Sequence, residues 1–214
     1  MPTAGSVSEL TGLGDSARHQ LDLAHRAREE ALARCRETIR SCGLAIRAVH
    51  RLLPDEAGSR LAEAEASLRP AQEVLAPFPT LAAAGFLHDA EKEYAEARLT
   101  AALVADATIP SAESMRVGLA PWLNGLAEAA SELRRHLLDR LRAGEPERGE
   151  SLLRAMEDVY DMLVTIEYPD AITGGLRRST DALRGVVERS RADVTTTVLQ
   201  AGLRRVIEER LQGW

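Results

Sequence analysis

Cys35-Arg36-Glu37-Thr38-Ile39-Arg40-Ser41-Cys42-Gly43-Leu44-Ala45-Ile46-Arg47-Ala48-Val49-His50-Arg51-Leu52-Leu53-Pro54 is the stretch that decides the fold class. Cys35, Ile39, Cys42, Ile46, Val49 and Leu53 recur at steps of 4, 3, 4, 3 and 4, which is one apolar seam on a helix. Proline cannot continue a helix, so the pattern predicts a long helix over about 16–53 that stops at Pro54. Working outward, Leu61, Ala64, Leu68 and Leu75 predict a second helix over about 55–76. Pro77 and Pro79 break the chain before a third over about 81–105. Ser111 is placed to cap a short helix near 112–118. A fifth, over about 121–143, opens with Pro121 and closes at Gly144. A sixth covers about 146–167 and stops before Pro169. The last runs from about Leu176 to Gln212, beyond the hinge Gly174-Gly175.

The expectation is an all-α, seven-helix, bundle-like single domain over 16–214, with long amphipathic helices that self-association would cover. Residues 1–15 lack periodicity and are expected to be a flexible lead-in. Composition agrees. Aromatics are 3% of the 214 residues, too few for a sheet core that leans on aromatic and β-branched side chains. Hydrophobic content of 45% with 28% charged residues is that of a folded globular chain. No stretch approaches ~20 uncharged apolar residues, and Met1 to Ser16 has neither a basic start nor an apolar run. A soluble cytoplasmic protein without membrane contact is therefore expected. Cys35 and Cys42 lie two helical turns apart, ~10.5 Å, beyond disulfide reach. Buried core thiols are expected.

Three acids lack a local partner. Asp89, Glu93 and Glu96 fall at i, i+4 and i+7 on the third helix, where like charges oppose helix formation. Glu93 has no basic residue three or four positions away, and Glu96 has only Lys92, in the less favourable order. On the fifth helix Glu132 can pair with Arg135 or His136, whereas Glu128 meets only Ser131 at i+3. Two facing helices would bring Glu93, Glu96 and Glu128 together as a site for Mg2+ or Mn2+, since hard cations take carboxylate oxygens. A metal there would suit phosphodiester hydrolysis. The alternative is a solvated acidic face, or salt bridges to arginines of neighbouring helices.

The basic counterpart is the first helix. The net charge is −6, yet residues 16–53 carry eight arginines and four acids, or +4, which leaves −10 for the rest. Of the 27 basic residues only Lys92 is a lysine, so 26 are arginines. Arg36, Arg40, Arg47 and Arg51 form one stripe with His50 beside it. On an acidic protein such a stripe is a candidate phosphate track; the alternative is a helix face paired to acids on its neighbours. No glycine-rich phosphate loop, nucleophile elbow or paired Glu-x-x-His appears.

Glu93-Tyr94-Ala95-Glu96-Ala97, followed by Trp122-Leu123-Asn124-Gly125-Leu126-Ala127-Glu128 and Ser131-Glu132-Leu133, resembles the translin family, and more closely its translin-associated factor X branch, with archaeal and bacterial members. The resemblance extends to Cys35-Arg36 through Arg51 and to Tyr160 through Arg178, covering about 16–200. It implies a seven-helix subunit assembling into hollow, usually octameric particles that bind single-stranded RNA or DNA. For the factor X branch it implies Mg2+-dependent endoribonuclease activity. The family's catalytic, metal-holding carboxylates fall on Glu93, Glu96 and Glu128. Eukaryotic members carry aspartate at the position of Glu128, one methylene shorter. The family's basic, strand-contacting positions fall on Arg36, Arg47, His50 and Arg51. A non-catalytic single-strand-binding oligomer is the second reading, and a scaffold whose acids only pair with neighbouring helices is the third.

Overall fold

The computed structural model describes residues 4–212, with side chains from 9 to 211. Its elements are α1 (Ala4–His50), α2 (Pro54–Leu75), α3 (Pro79–Ala82), α4 (Phe86–Ala105), α5 (Leu119–Arg142), α6 (Pro146–Val164), α7 (Asp170–Thr173) and α8 (Leu176–Gln212). There is no strand among the described residues. The all-α architecture is as expected, although the described residues form eight helices rather than seven, the single turns α3 and α7 being additional. Three local differences stand out.

The first is at the N-terminus. α1 begins at Ala4, so residues 4–15, expected to be a lead-in, are helical; residues 1–3 lie outside the described residues. The second is the short helix expected near 112–118, which is a pair of turns instead. Ser111 does cap, its Oγ accepting from Ser114 N at 3.1 Å. However, Arg116 adopts φ +51, a left-handed conformation that halts propagation. The third is the start of α4, at Phe86 rather than Leu81. Gly85 at φ +95 separates it from the single turn of α3, a conformation open to glycine at little cost.

α1 and α2 form an antiparallel hairpin. α4 packs between α1 and α5, and α6 and α8 close over α5. Cys35, Cys42 and Val49 of the expected α1 seam are buried, but at its alternate positions Thr38 and Ala45 are fully buried while Ile39 and Ile46 are only partly so. Small residues let α2 approach closely there, and Thr38 Oγ1 donates to Arg34 O at 3.0 Å, so its burial leaves no unmet hydroxyl. The helix ends at His50, not Leu53, because Leu52 turns back at φ +57 and Pro54 starts α2 at its first position. Leu68, Leu75, Tyr94, Leu99, Leu133, Leu137, Met156 and Leu183 fill the centre. Cys35 and Cys42 are free and buried there, as expected.

Asn124 ties the α7–α8 end of the molecule to α5. It is buried; its Nδ2 donates to Ala120 O at 2.9 Å and Thr173 O at 2.7 Å, and its Oδ1 accepts from Ser179 Oγ at 2.7 Å. Replacing it with alanine leaves the hydroxyl of Ser179 and the carbonyl of Thr173 without this partner. Each unmet buried group costs ~1–3 kcal/mol. Asn124→Ala is therefore expected to lower the urea midpoint by an amount equivalent to about 2–4 kcal/mol, with the slope unchanged.

Candidate metal and nucleic-acid site

α4 and α5 pass very close to each other at Gly125. A Cβ there would lie 2.8 Å from Ala95 Cβ, 2.8 Å from Lys92 O and 2.9 Å from Glu96 N. Only glycine lets the two backbones come this near. One turn further along α5, Glu128 therefore meets Glu93 and Glu96, and carboxylate oxygens of all three lie within 4.8 Å of one another. Asp89, the first member of the acidic stripe, is exposed and outside this group.

The acids are unequally placed. Glu96 is 8% exposed, Glu93 and Glu128 are half-buried. Burial, and then the charges of Glu128, Glu93 and Glu132, push the Glu96 carboxyl up to about 8. Among the described residues Lys92 is the one basic group paired with the cluster: its Nζ donates to both oxygens of Glu128, at 2.8 and 2.7 Å, and lies 3.5 Å from Glu93 Oε1. Burial works against the Lys92 ammonium, but the hydrogen bonds to Glu128 and the charges of Glu128, Glu93 and Glu96 outweigh it and hold its pKa above the usual lysine value. Even with Glu96 protonated, the carboxylates of Glu93 and Glu128 against one ammonium leave negative charge to spare. This donor set, all hard oxygens with an uncompensated charge, fits Mg2+ or Mn2+. The salt-bridge alternative is thus realised for Glu128 and, at longer range, for Glu93, in both cases by a lysine rather than an arginine.

α1 and α5 both pack against α4, the helix that carries Glu93 and Glu96. Cys42 of α1 has its thiol pushed up to about 12, first by burial and then by the charges of Glu93 and Glu96. Gly43 faces open space. At ~100° per residue, Arg36, Gly43 and Arg47 point within ~60° of His50. Arg36, Arg47 and Arg51 are exposed, with no ion pair to any described residue. His50 differs. Its side chain is 5% exposed, and Nε2 donates to Glu132 Oε2 at 2.6 Å. Its ring stacks on His136 with centroids 5.1 Å apart. The last residue of α1 thus turns inward to Glu132 rather than outward toward a strand, and Glu132 does not take the local partners Arg135 or His136. Burial, and then the neighbouring His50, hold His136 below the usual histidine value.

Sequence spacing reaches Glu93, Glu96 and Glu128. It misses Lys92 as the partner of Glu128, and His50 as the partner of Glu132, because both pairs cross between helices. That Lys92 is the single lysine among 27 basic residues was the one signal available. A cleft of about 510 Å³ between α6 and α8 is lined by Arg177, Thr180 and Asp181, among others, and contains none of these acids.

No family model matches the chain. The uncharacterized protein MJ0175 of Methanocaldococcus jannaschii is 30% identical over 179 residues, spanning 83% of this chain and 79% of the relative. Among solved structures, AfC3PO superposes with a TM-score of 0.79 at 29% identity, covering 87% of this chain and 97% of that one. AfC3PO in complex with duplex RNA gives 0.77 at 29% identity over 87% and 96%. Apo-NeC3PO, at 20% identity and a TM-score of 0.77 over 86% and 96%, shares the fold.

Proposed function

The chain belongs to the translin family, and from that premise we propose that it is a Mg2+-dependent endoribonuclease of the factor X type, cutting single-stranded RNA as a hollow, octamer-like assembly. The observation that carries this reading is the convergence of Glu93, Glu96 and Glu128 within 4.8 Å, with α4 packed against α1, whose Arg36, Arg47 and Arg51 are exposed. AfC3PO has been solved with duplex RNA, which supports RNA as the ligand class here.

Glu93, Glu96 and Glu128 would hold Mg2+, with Mn2+ as a substitute. When bound, the ion supplies Lewis acidity, activating water and offsetting charge that develops on the phosphate. Glu96, whose carboxyl pKa burial and the neighbouring acids hold high, would be ionised when it serves as a ligand. The side chain of Glu128, one methylene longer than aspartate, brings its oxygens to the cluster. Arg36, Arg47 and Arg51 hold the strand through its phosphates, which positions it without reading sequence. With 3% aromatics, base stacking contributes little and selectivity is weak; single-stranded DNA binds by the same contacts. His50 acts on Glu132, not on the strand. Assembly is supported by exposed large apolar residues on the first half of α1, Leu10, Leu13 and Leu21, and on the second half of α8, Leu199, Leu203 and Val206. No helix is long and apolar enough to cross a membrane among the described residues; we assign the protein to the cytoplasm.

The test is incubation of end-labelled single-stranded RNA, and of its duplex, with the protein and Mg2+, beside EDTA and Glu93→Gln controls. Cleavage of the single strand that disappears in both controls, with the assembly intact, is expected. Intact RNA in every lane with a salt-dependent gel shift would establish the second reading, a non-catalytic binding oligomer, which the pairing of Lys92 with Glu128 favours. In either case Arg47→Ala/Arg51→Ala should weaken binding and flatten the plot of log affinity against log salt by about 1.4, or ~0.7 per lost phosphate contact on a single strand. An unchanged slope would remove these arginines from the track.

A further inference from the structure

Lys92 stands out twice. It is the single lysine in a chain that uses arginine at its 26 other basic positions, and its ammonium sits on the acid cluster rather than at the surface. Nζ bonds both oxygens of Glu128, at 2.8 and 2.7 Å, and approaches Glu93 Oε1 at 3.5 Å. An incoming divalent ion needs at least one of those Glu128 oxygens. Two positive charges cannot share so small a volume without strong repulsion. The ammonium therefore has to move, and it is able to: it sits at the end of a flexible four-carbon stem and its side chain is 22% exposed. A guanidinium in its place would grip the carboxylate as a planar fork and release it less readily.

We propose that Lys92 is the resident counter-cation of this site, occupying Glu128 in the metal-free protein and exchanged off it by the divalent ion, so that it sets the concentration at which the site fills. The exchange keeps the buried carboxylates from facing one another uncompensated before the metal arrives, at the cost of affinity once it does. This rests on the reading that Glu93, Glu96 and Glu128 hold a divalent cation.

The test uses Mn2+ alone, without RNA. Free Mn2+ is measured by electron paramagnetic resonance for the full-length protein, Lys92→Met and Lys92→Arg, each checked for native helicity and assembly. Lys92→Met is expected to bind Mn2+ about tenfold more tightly than the parent and Lys92→Arg more weakly. In protein carrying isotope-labelled lysine, the single side-chain NMR signal should shift as Mg2+ is added and saturate with site occupancy. Equal or weaker Mn2+ binding by a folded Lys92→Met, or a lysine signal blind to Mg2+, overturns the proposal while leaving the metal site standing. Absence of Mn2+ binding by all three proteins, up to millimolar concentration, overturns the metal site together with it. Should Lys92→Met not fold, the order of the parent and Lys92→Arg and the lysine signal decide.

Discussion

Glu96→Gln is expected to abolish Mg2+-dependent RNA cleavage and, at the same time, to raise the melting temperature of the metal-free protein. Losing one ligand of three should reduce the rate on the order of 10²-fold or more, the scale seen when one preorganised charge-stabilising group is removed. The stability effect follows from linkage. Glu96 is held at about 8 in the folded chain against 4.5 for the free side chain, because ionising it beside Glu128 and Glu93 in a buried place is unfavourable. A group whose folded pKa is raised contributes stability in full below the unfolded value and loses it as pH climbs through the folded one. The parent protein, stripped of metal, should therefore weaken between about pH 5 and pH 8, and the glutamine variant should not. The two should melt alike near pH 5. By pH 9 the variant should lead by roughly 2–4 kcal/mol, or at least ~4 °C for a chain of this size. Adding Mg2+ should stabilise the parent and leave the variant unmoved. Calorimetric scans at pH 5, 7 and 9 in EDTA, then in Mg2+, check all of this. A variant that melts lower at every pH would make Glu96 a structural residue.

Gly125→Ala should separate the two helices that assemble the site. The added methyl would stand 2.8 Å from Lys92 O and 2.9 Å from Glu96 N, and these are backbone atoms that cannot swing aside. In an isolated helix alanine would be the better residue by ~1 kcal/mol. Here overpacking opposes that gain with typically ~1–3 kcal/mol, so a net loss of stability of about 1–2 kcal/mol is expected. The larger effect is on geometry. Glu128 sits one turn beyond the glycine, and displacing α5 carries its carboxylate away from Glu93 and Glu96. Mn2+ affinity should fall about tenfold or more, and cleavage with it. Isothermal titration with Mn2+ separates the two consequences. Unchanged affinity in a folded Gly125→Ala protein would show that α5 accommodates the methyl without moving Glu128.

The glycine and the acids show how far spacing alone reaches. Glu93, Glu96 and Glu128 were legible because each lacks a partner within its own helix, and an unmet charge implies something beyond that helix. The helical class was legible because a seam repeating every three or four residues admits no other regular structure. Gly125 carries no such mark. A glycine within a helix reads only as a weak position until the partner backbone is seen against it.

What the sequence determined by itself was local: which segments are helical, where prolines and glycines interrupt them, that the cysteines lie in the core, and which charges go unpaired along one helix. These follow from forces acting over three or four residues. It did not determine that α1 starts at Ala4, since residues 4–15 show no apolar periodicity and their helix is set by continuity with the packed segment after them. Nor did it put Thr38 rather than Ile39 in the centre of the α1–α2 contact, where close packing prefers the smaller side chain. The pairings Lys92–Glu128 and His50–Glu132 were decided only in three dimensions. Each depends on how near two helices pass and how they are rotated, and that is fixed by core packing across the whole bundle.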